Sequence, residues 1–431
     1  RVIEYAWSRE DTAMVRSEWG SAPEQNGVPR LEYSCARDWD SAAGWLRNRF
    51  MRAVDEPFDA QAMSVEITRG CVTDIERASA MYYWVCDNIR TIDIPVQLAG
   101  YEPTRPSVTL DRRFGDTRDK TVLLMALYRA AGFGTELVLF NRESLIIEPS
   151  VPSIEQFDST GCIVELPAKR VYWLDPGVDN LPFGFFAASA GRKALRIGRS
   201  RHAIETVPVL PPEASQSKLE MNVILGEDGH VSGEIDWKGE GYFSFRAREE
   251  NRDLSPEERY RAYERQLVAC IPGAIIGEVS ESDWNDMTES PHIHIAFSGG
   301  RIYPEMGELS VIEIPEFRLP FSRIPVLTSM PERMLPMRLD STARETIAVT
   351  LALPETLEIL QTPKNTDARF KHAGWQIRTR MNGNVYRHDE MFRWAAVDID
   401  PAEYREIRRI RSESERLEHR VILVKPARGT K

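Results

Sequence analysis

The chain has 431 residues, enough for about two to four domains with sizeable cores. Hydrophobic and aromatic contents of 42% and 9% are ordinary for a globular protein, and a net charge of −11 speaks against a phosphate-backbone partner, which needs a basic surface. No apolar run reaches about 18 residues, so no membrane-spanning helix is expected.

Residues 1–37 hold strand-like pieces at 2–7 and 31–35 around a polar loop and read as the remnant of an N-terminal β domain. The chain opens at Arg1, so a segment before it is expected. Over 38–54, Trp39, Ala42, Ala43, Leu46 and Phe50 recur at helical spacing. A second helix is predicted over 72–89, with Ile75, Ala78, Met81, Tyr82, Val85 and Ile89 on one face. The stretch 109–139 reads as loop, buried helix and strand. Gly115-Asp116 is a turn signal, and Thr117 or Asp119 can cap the first helical turn. Val122, Leu123, Leu124, Leu127 and Tyr128 then form a buried face, and Gly132 stops the helix. Strands follow at 136–140, 161–166 and 170–174, the last running into Asp175-Pro176. The five cysteines, at 35, 71, 86, 162 and 270, form no CxxC pair and no metal spacing, and their odd number argues against a disulfide framework. Cys86 and Cys270 fall on apolar helical faces as buried thiols.

Three of these stretches carry a resemblance: Trp84-Val85-Cys86-Asp87-Asn88-Ile89-Arg90, Gly115-Asp116-Thr117-Arg118-Asp119-Lys120 ahead of a Leu-rich helix, and Trp173-Leu174-Asp175-Pro176. Together they resemble the bacterial transglutaminase-like proteins, a branch of the papain-type superfamily. The resemblance implies a multidomain α+β fold, with a papain-type core followed by β-sandwich-like domains. It also implies a cysteine nucleophile at the helix entry, a histidine opening a later strand, and Asp175 orienting that histidine. Here the helix entry holds Thr117, and the histidine place reads Phe157-Asp158-Ser159-Thr160. None of the seven histidines lies in the first 201 residues. The triad positions Thr117, Ser159 and Asp175 are therefore degenerate. Acyl transfer needs a nucleophile that ionises near neutral pH and a base to take its proton, and an internal threonine without an imidazole supplies neither. Cys162, on the strand after the vacant histidine place, is a candidate to have moved into the cleft, with a buried structural thiol as the alternative. Asp116, Asp119, Trp84 and Cys162 are the cleft candidates for binding.

The core is expected over 38–206, followed by a Pro/Ser-rich linker at 207–217. A β-rich domain with one helix is expected over 218–328. Its hairpin turns at Glu227-Asp228-Gly229, and its helix opens by a capping box, Ser255-Pro256-Glu257-Glu258. His292 and His294 share a strand face without a third ligand nearby, so no metal is expected there. A Pro-rich passage over 315–336 leads to a C-terminal β-rich segment, 329–431. That segment has a hairpin on Gly383 and one helix opened by Asp400-Pro401-Ala402-Glu403 as a second capping box, its charged run 405–418 reading as a solvated face.

Two functional classes follow. The loss of both cysteine and histidine points to a non-catalytic binding or scaffolding protein, whose ligand would be a peptide, a glycan or another envelope component. Retention of Gly115, Asp116, Asp119, Lys120 and Asp175 leaves open an amide-processing peptidase or acyltransferase using Thr117 or Cys162. No cofactor, metal or nucleic-acid partner is expected. The resemblance implies export to the periplasm or cell surface of a Gram-negative bacterium.

Overall fold

The computed structural model describes residues 6–8, 18–21, 31–94, 100–142, 147–186, 189–199, 201–302 and 309–427. Helix α1, Trp39–Val54, begins at a reciprocal capping box in which Asp38 accepts from the Ser41 amide at 2.8 Å. It buries Ala42, Ala43, Leu46 and Phe50, the face the spacing predicts. A short α2, Ala60–Ile67, follows on an Asp59 cap. Its eight residues are too few for a periodic pattern, and the sequence reading passes over it. Helix α3, Asp74–Asn88, starts at a Thr73/Glu76 capping box and buries Ala78, Met81, Tyr82, Val85 and Cys86. Helix α4, Pro106–Arg112, turns the chain into α5, Thr117–Ala130, which is buried from Thr117 through Tyr128. Such burial on all sides needs neighbours all round. The helix has α1, α2 and α3 against it on one side and the core sheet on the other.

That sheet is antiparallel throughout. Its strands are β1 (Gly134–Phe140), β2 (Ser159–Leu166), β3 (Arg170–Leu174), β4 (Lys193–Ile197) and β5 (His202–Thr206), in the order β3-β2-β1-β4-β5. Alternation along the strands splits the side chains between two faces. Leu137, Leu139, Cys162, Val164 and Leu174 join the helices in one core, while Val138, Phe140, Ile163 and Trp173 form a second cluster with Phe186 and Val207.

The segment expected as a linker at 207–217 is packed structure. Val207 and Ser215 are fully buried, and Gln216 and Ser217 already belong to β6, Gln216–Leu225. The Ser215 hydroxyl accepts from the Tyr242 amide at 3.2 Å and its carbonyl from the Arg344 amide at 2.9 Å, so both backbone directions are tied down. Strand β7, Val231–Gly239, completes the expected hairpin. An unexpected helix, α6 (Tyr242–Asn251), follows Gly241, which sits at φ 58° and has no room for a Cβ against the Ala214 carbonyl. With no side-chain cap at its start, α6 lacks the usual entry signal. Helix α7, Pro256–Cys270, keeps the predicted Ser255/Glu258 capping box, and Cys270 at its end is only half-buried.

Strands β8 (Ala274–Glu281), β9 (His292–Gly299), β10 (Ser310–Glu313), β11 (Ala343–Ala352), β12 (Leu357–Gln361), β13 (Thr366–Arg369), β14 (Ala373–Asn382) and β15 (Val385–Trp394) follow. The chain then enters α8, Pro401–Ser414, and β16, Val421–Pro426. One eight-stranded sheet, β8-β9-β7-β6-β11-β15-β14-β13, draws on both segments expected as separate units at 218–328 and 329–431. They meet where β6 pairs in parallel with β11 from Gln216–Arg344 to Ile224–Ala352. Parallel pairing between strands so distant in sequence has no local turn signal, so the boundary at 328 corresponds to no break in the sheet.

The covered face of this sheet meets a mixed second layer. It consists of α6, α7, α8, the small sheet β10-β16-β12, and the Pro-rich passage, which buries Phe317, Leu319, Phe321 and Ile324. Asp400 makes no side-chain cap at the start of α8, contrary to expectation. Glu403, its would-be partner, turns to Lys371 at 3.3 Å and His372 at 3.8 Å. The charged run is not wholly solvated either, since the Arg411 guanidinium lies 5.4 Å from the centre of the Phe392 ring.

Of the expected N-terminal strands, 2–7 falls on described residues only at 6 and 7, which form no strand, and 31–35 forms none either. Residues 18–21 dock on the far end of the chain, where Glu18 accepts from the Met334 and Leu335 amides and Ser21 bridges to Met337.

Candidate functional site

Helix α5 is capped by Asp116, not by Thr117. The Asp116 carboxylate accepts from the Arg118 and Asp119 amides at 2.9 and 3.2 Å, and Asp119 returns a bond to the Asp116 amide at 3.3 Å. The other Asp119 oxygen accepts from the Thr104 amide at 2.6 Å, and Arg118 closes over Asp116 as a buried ion pair. Burial, then the Asp116 charge beside it, pushes the Asp119 carboxyl above its usual range. Both carboxylates, expected as cleft candidates, are engaged in bonds at the helix entry. Lys120 is fully buried and reaches Asp179 at 3.1 Å and Thr91 at 2.9 Å.

Thr117 is the first residue of the helix, where free amides and the helix dipole favour negative charge. The residue is 5% exposed, and its hydroxyl accepts a hydrogen bond from Thr160 at 3.2 Å. Thr121 ties the same corner, donating to the carbonyls of Thr117 and Thr160. Of the residues at the vacant histidine place, Thr160 is thus the one facing Thr117.

Asp175, at the end of β3, lies across from Thr117 as expected. Gly177 shows how close they are: a Cβ there would come within 2.7 Å of both Thr117 Cγ2 and the Arg142 guanidinium, and 3.2 Å of Asp175 Oδ1. Only a residue without a side chain fits at this crowded point. The Gly177 amide donates to Asp175 at 3.0 Å.

Arg142 fills the place opposite Asp175. Its Nε donates to Asp175 at 3.1 Å and its terminal nitrogen at 2.6 and 2.8 Å, a forked pair with Asp175 5% exposed. Burial works against the guanidinium charge, but Asp175, with Asp158 and Asp93 behind it, outweighs burial, and the Arg142 pKa is raised. The Arg142 amide also donates to Asp158 at 3.0 Å. The sequence reading missed Arg142. A signal existed: once no imidazole is present, a buried Asp175 demands another cation. The two residues after β1 lie beside the start of β2, where Phe140 pairs with Ser159.

The remaining candidates lie elsewhere. Cys162 is 1% exposed on the helix side of the sheet, inside the core, where burial drives its thiol far above the usual range. Cys86 is likewise pushed up to about 12 by burial, against the opposing charge of Lys120. Trp84 packs on the rim of the helical core with the Arg113 guanidinium 5.8 Å from its ring centre. His292 and His294 bond to Ser282 and Asp236 at 2.6 and 2.8 Å. Glu413, Glu418 and His419 stand at metal-ligand spacing, but Arg416 bridges both carboxylates at 3.0 and 3.3 Å.

Beyond Arg142 a cavity of about 470 Å³ opens between the core and the β-rich body. Arg142, Asp175, Phe186 and Arg192 line one side, and Tyr242, Arg246, Arg338 and Asp340 the other.

Residues 61–145 match the model of the transglutaminase-like superfamily. No curated protein matches the chain. Among solved structures, a presumed protease from Parabacteroides distasonis aligns at 12% identity and a TM-score of 0.57, covering 90% of this chain and 59% of that one. At that identity the likeness shows the fold alone, and the chain spans about three-fifths of that protein's length. An M1 zinc metallopeptidase from Deinococcus radiodurans aligns at 10% identity over 51% of this chain and 44% of that one, with a TM-score of 0.19 that carries no argument. The matched stretch takes in the helix entry at Thr117 and ends before Asp175, so it is residues 61–145 that are similar to the transglutaminase-like superfamily.

Proposed function

We propose that the chain is a non-catalytic transglutaminase-like protein that binds its target rather than cleaving or cross-linking it. The Arg142–Asp175 clamp carries this reading. In a triad the aspartate must hold an imidazole in the right tautomer, and here both its oxygens are taken by a guanidinium, which cannot shuttle protons near neutral pH. Thr117 adds to it, because a buried threonine hydroxyl without a base does not ionise in reach of neutral pH. Retention of Asp116, Asp119 and Lys120 is accounted for by the bonds they make at the helix entry. We extend the reading to a peptide, glycan or protein ligand of the bacterial envelope, as the resemblance implies.

The test is amine incorporation into a glutamine-containing protein and cleavage of a broad peptide library. Both should match buffer alone. Turnover that disappears in Thr117→Ala would defeat the proposal, and turnover that disappears in Cys162→Ala would defeat it by the alternative route.

A further inference from the structure

The cavity between the core and the β-rich body is lined by four arginines, and three of them have acidic partners. Arg142 is forked onto Asp175, Arg246 pairs with Glu249 and Glu250 at 2.8 Å each, and Arg338 pairs with Asp398 at 2.9 Å. Arg192 is the exception among the described residues. One terminal nitrogen donates to the Arg142 carbonyl at 2.8 Å, its Nε is buried without any partner, and it makes no ion pair. Burial and the charge of Arg338 beside it push its pKa down to about 10, against the weaker pull of Asp398 and Asp158. Arg192 thus lines the cavity as a guanidinium with one backbone bond and no acidic partner, and the positive charge of Arg338 is felt there, so an anion in the cavity would meet an uncompensated cation.

The acidic group nearest to hand is already engaged. Asp340, the cavity's second carboxylate, accepts from the Tyr242 hydroxyl at 2.7 Å. Phe140, Phe186, Leu181 and Phe245 give the lining an apolar part beside the arginines, and Ser21 and Ser189 add hydroxyls. A volume of about 470 Å³ suits one small group or one or two residues of a peptide, and clefts between domains are common binding sites.

We propose that this cavity is a receptor for a carboxylate carried on an apolar or aromatic group, with Arg192 and Arg338 gripping the carboxylate and the phenyl-lined wall taking the rest. Guanidinium forks match carboxylate geometry, and an anion here meets positive charge in an otherwise acidic chain. The proposal rests on the binding reading given above. The carboxylate belongs either to a peptide C-terminus or to a free organic acid.

Calorimetric titration of the full chain with N-acetyl-phenylalanine, N-acetyl-phenylalanine amide and N-acetyl-Ala-Ala-Phe with a free carboxylate tests it. The free acids should bind at least about tenfold more tightly than the amide, and Arg192→Gln should abolish that preference. A tripeptide stronger than the single residue identifies a peptide end; equal affinity identifies a free acid. Equal binding of acid and amide, no binding of either acid, or a preference that survives in Arg192→Gln overturns the proposal. The wild-type comparison stands even if the variant folds poorly. Turnover in the assays above would defeat the non-catalytic reading while leaving the acid-over-amide preference to be read separately.

Discussion

The single residue that most changes the meaning of this site is Arg142. It converts Asp175 from an orienter of a base into half of a buried ion pair, and removing one half strands the other. Arg142→Met should lower the free energy of unfolding by about 3 kcal/mol, and Arg142→Met combined with Asp175→Asn should recover most of that loss. Denaturant melts of the three proteins check this; a double variant no more stable than the single one would show that Arg142 matters for reasons other than the Asp175 charge. Restoration of chemistry is constrained by the same residue. Thr117→Cys places a thiol at a helix N-terminus within reach of the Arg142 guanidinium, so its alkylation rate should titrate with a lower apparent pKa than exposed Cys35. A value at or above that of Cys35 would place position 117 outside an anion-stabilising helix entry. Adding Thr160→His puts an imidazole opposite the thiol, since the two threonine hydroxyls are 3.2 Å apart. Yet Asp175 cannot orient that imidazole until Arg142 is also replaced.

Among the elements, strand β15 sets a pH limit on stability. It carries His388, 5% exposed and packed beside Tyr386, whose hydroxyl lies 3.2 Å from its Nδ1. Burial pushes the imidazole pKa down to about 4; Asp389 and Glu316 pull it up, and His419 and Arg420 push it further down. Because the folded pKa lies below the usual value near 6.5, the unfolded chain binds the proton first as pH falls. Stability is therefore fully present above about pH 6.5 and is lost as pH drops towards 4, by about 3 kcal/mol for this one group. The neighbouring Glu390 and Glu345, whose pKa values burial raises, act in the opposite sense, weakening the fold as pH rises. Urea midpoints at pH 7 and pH 5 for the wild type and His388→Phe separate the terms. The variant should lose less on acidification than the wild type, and an equal loss in both would remove His388 as the cause.

For the whole molecule, the decisive feature is the parallel join of β6 to β11, which makes one sheet of two segments far apart in sequence. A chain cut after residue 328 would leave β6 as a bare edge and divide the large core, whose members run from Leu181 to Val424. It should fail to give a cooperative unfolding transition for its β-rich part, as read by near-ultraviolet circular dichroism during a urea melt. A sharp, native-like transition would restore 218–328 as an independent domain. The sequence by itself determined what local chemistry can determine: the buried faces of α1, α3 and α5, the capping box before α7, the hairpins, the transglutaminase-like motifs, and the absence of an imidazole from the first 201 residues. Each of these is written in spacing, in a cap or in a residue that is simply present or missing. Tertiary structure alone decided the rest. Arg142 meets Asp175 across 33 positions of sequence, Arg192 and Arg338 come to line one cavity, and β6 finds β11 without any turn to announce it. These contacts depend on which strands lie side by side and which charges the packing leaves without water, and no window of local sequence encodes either.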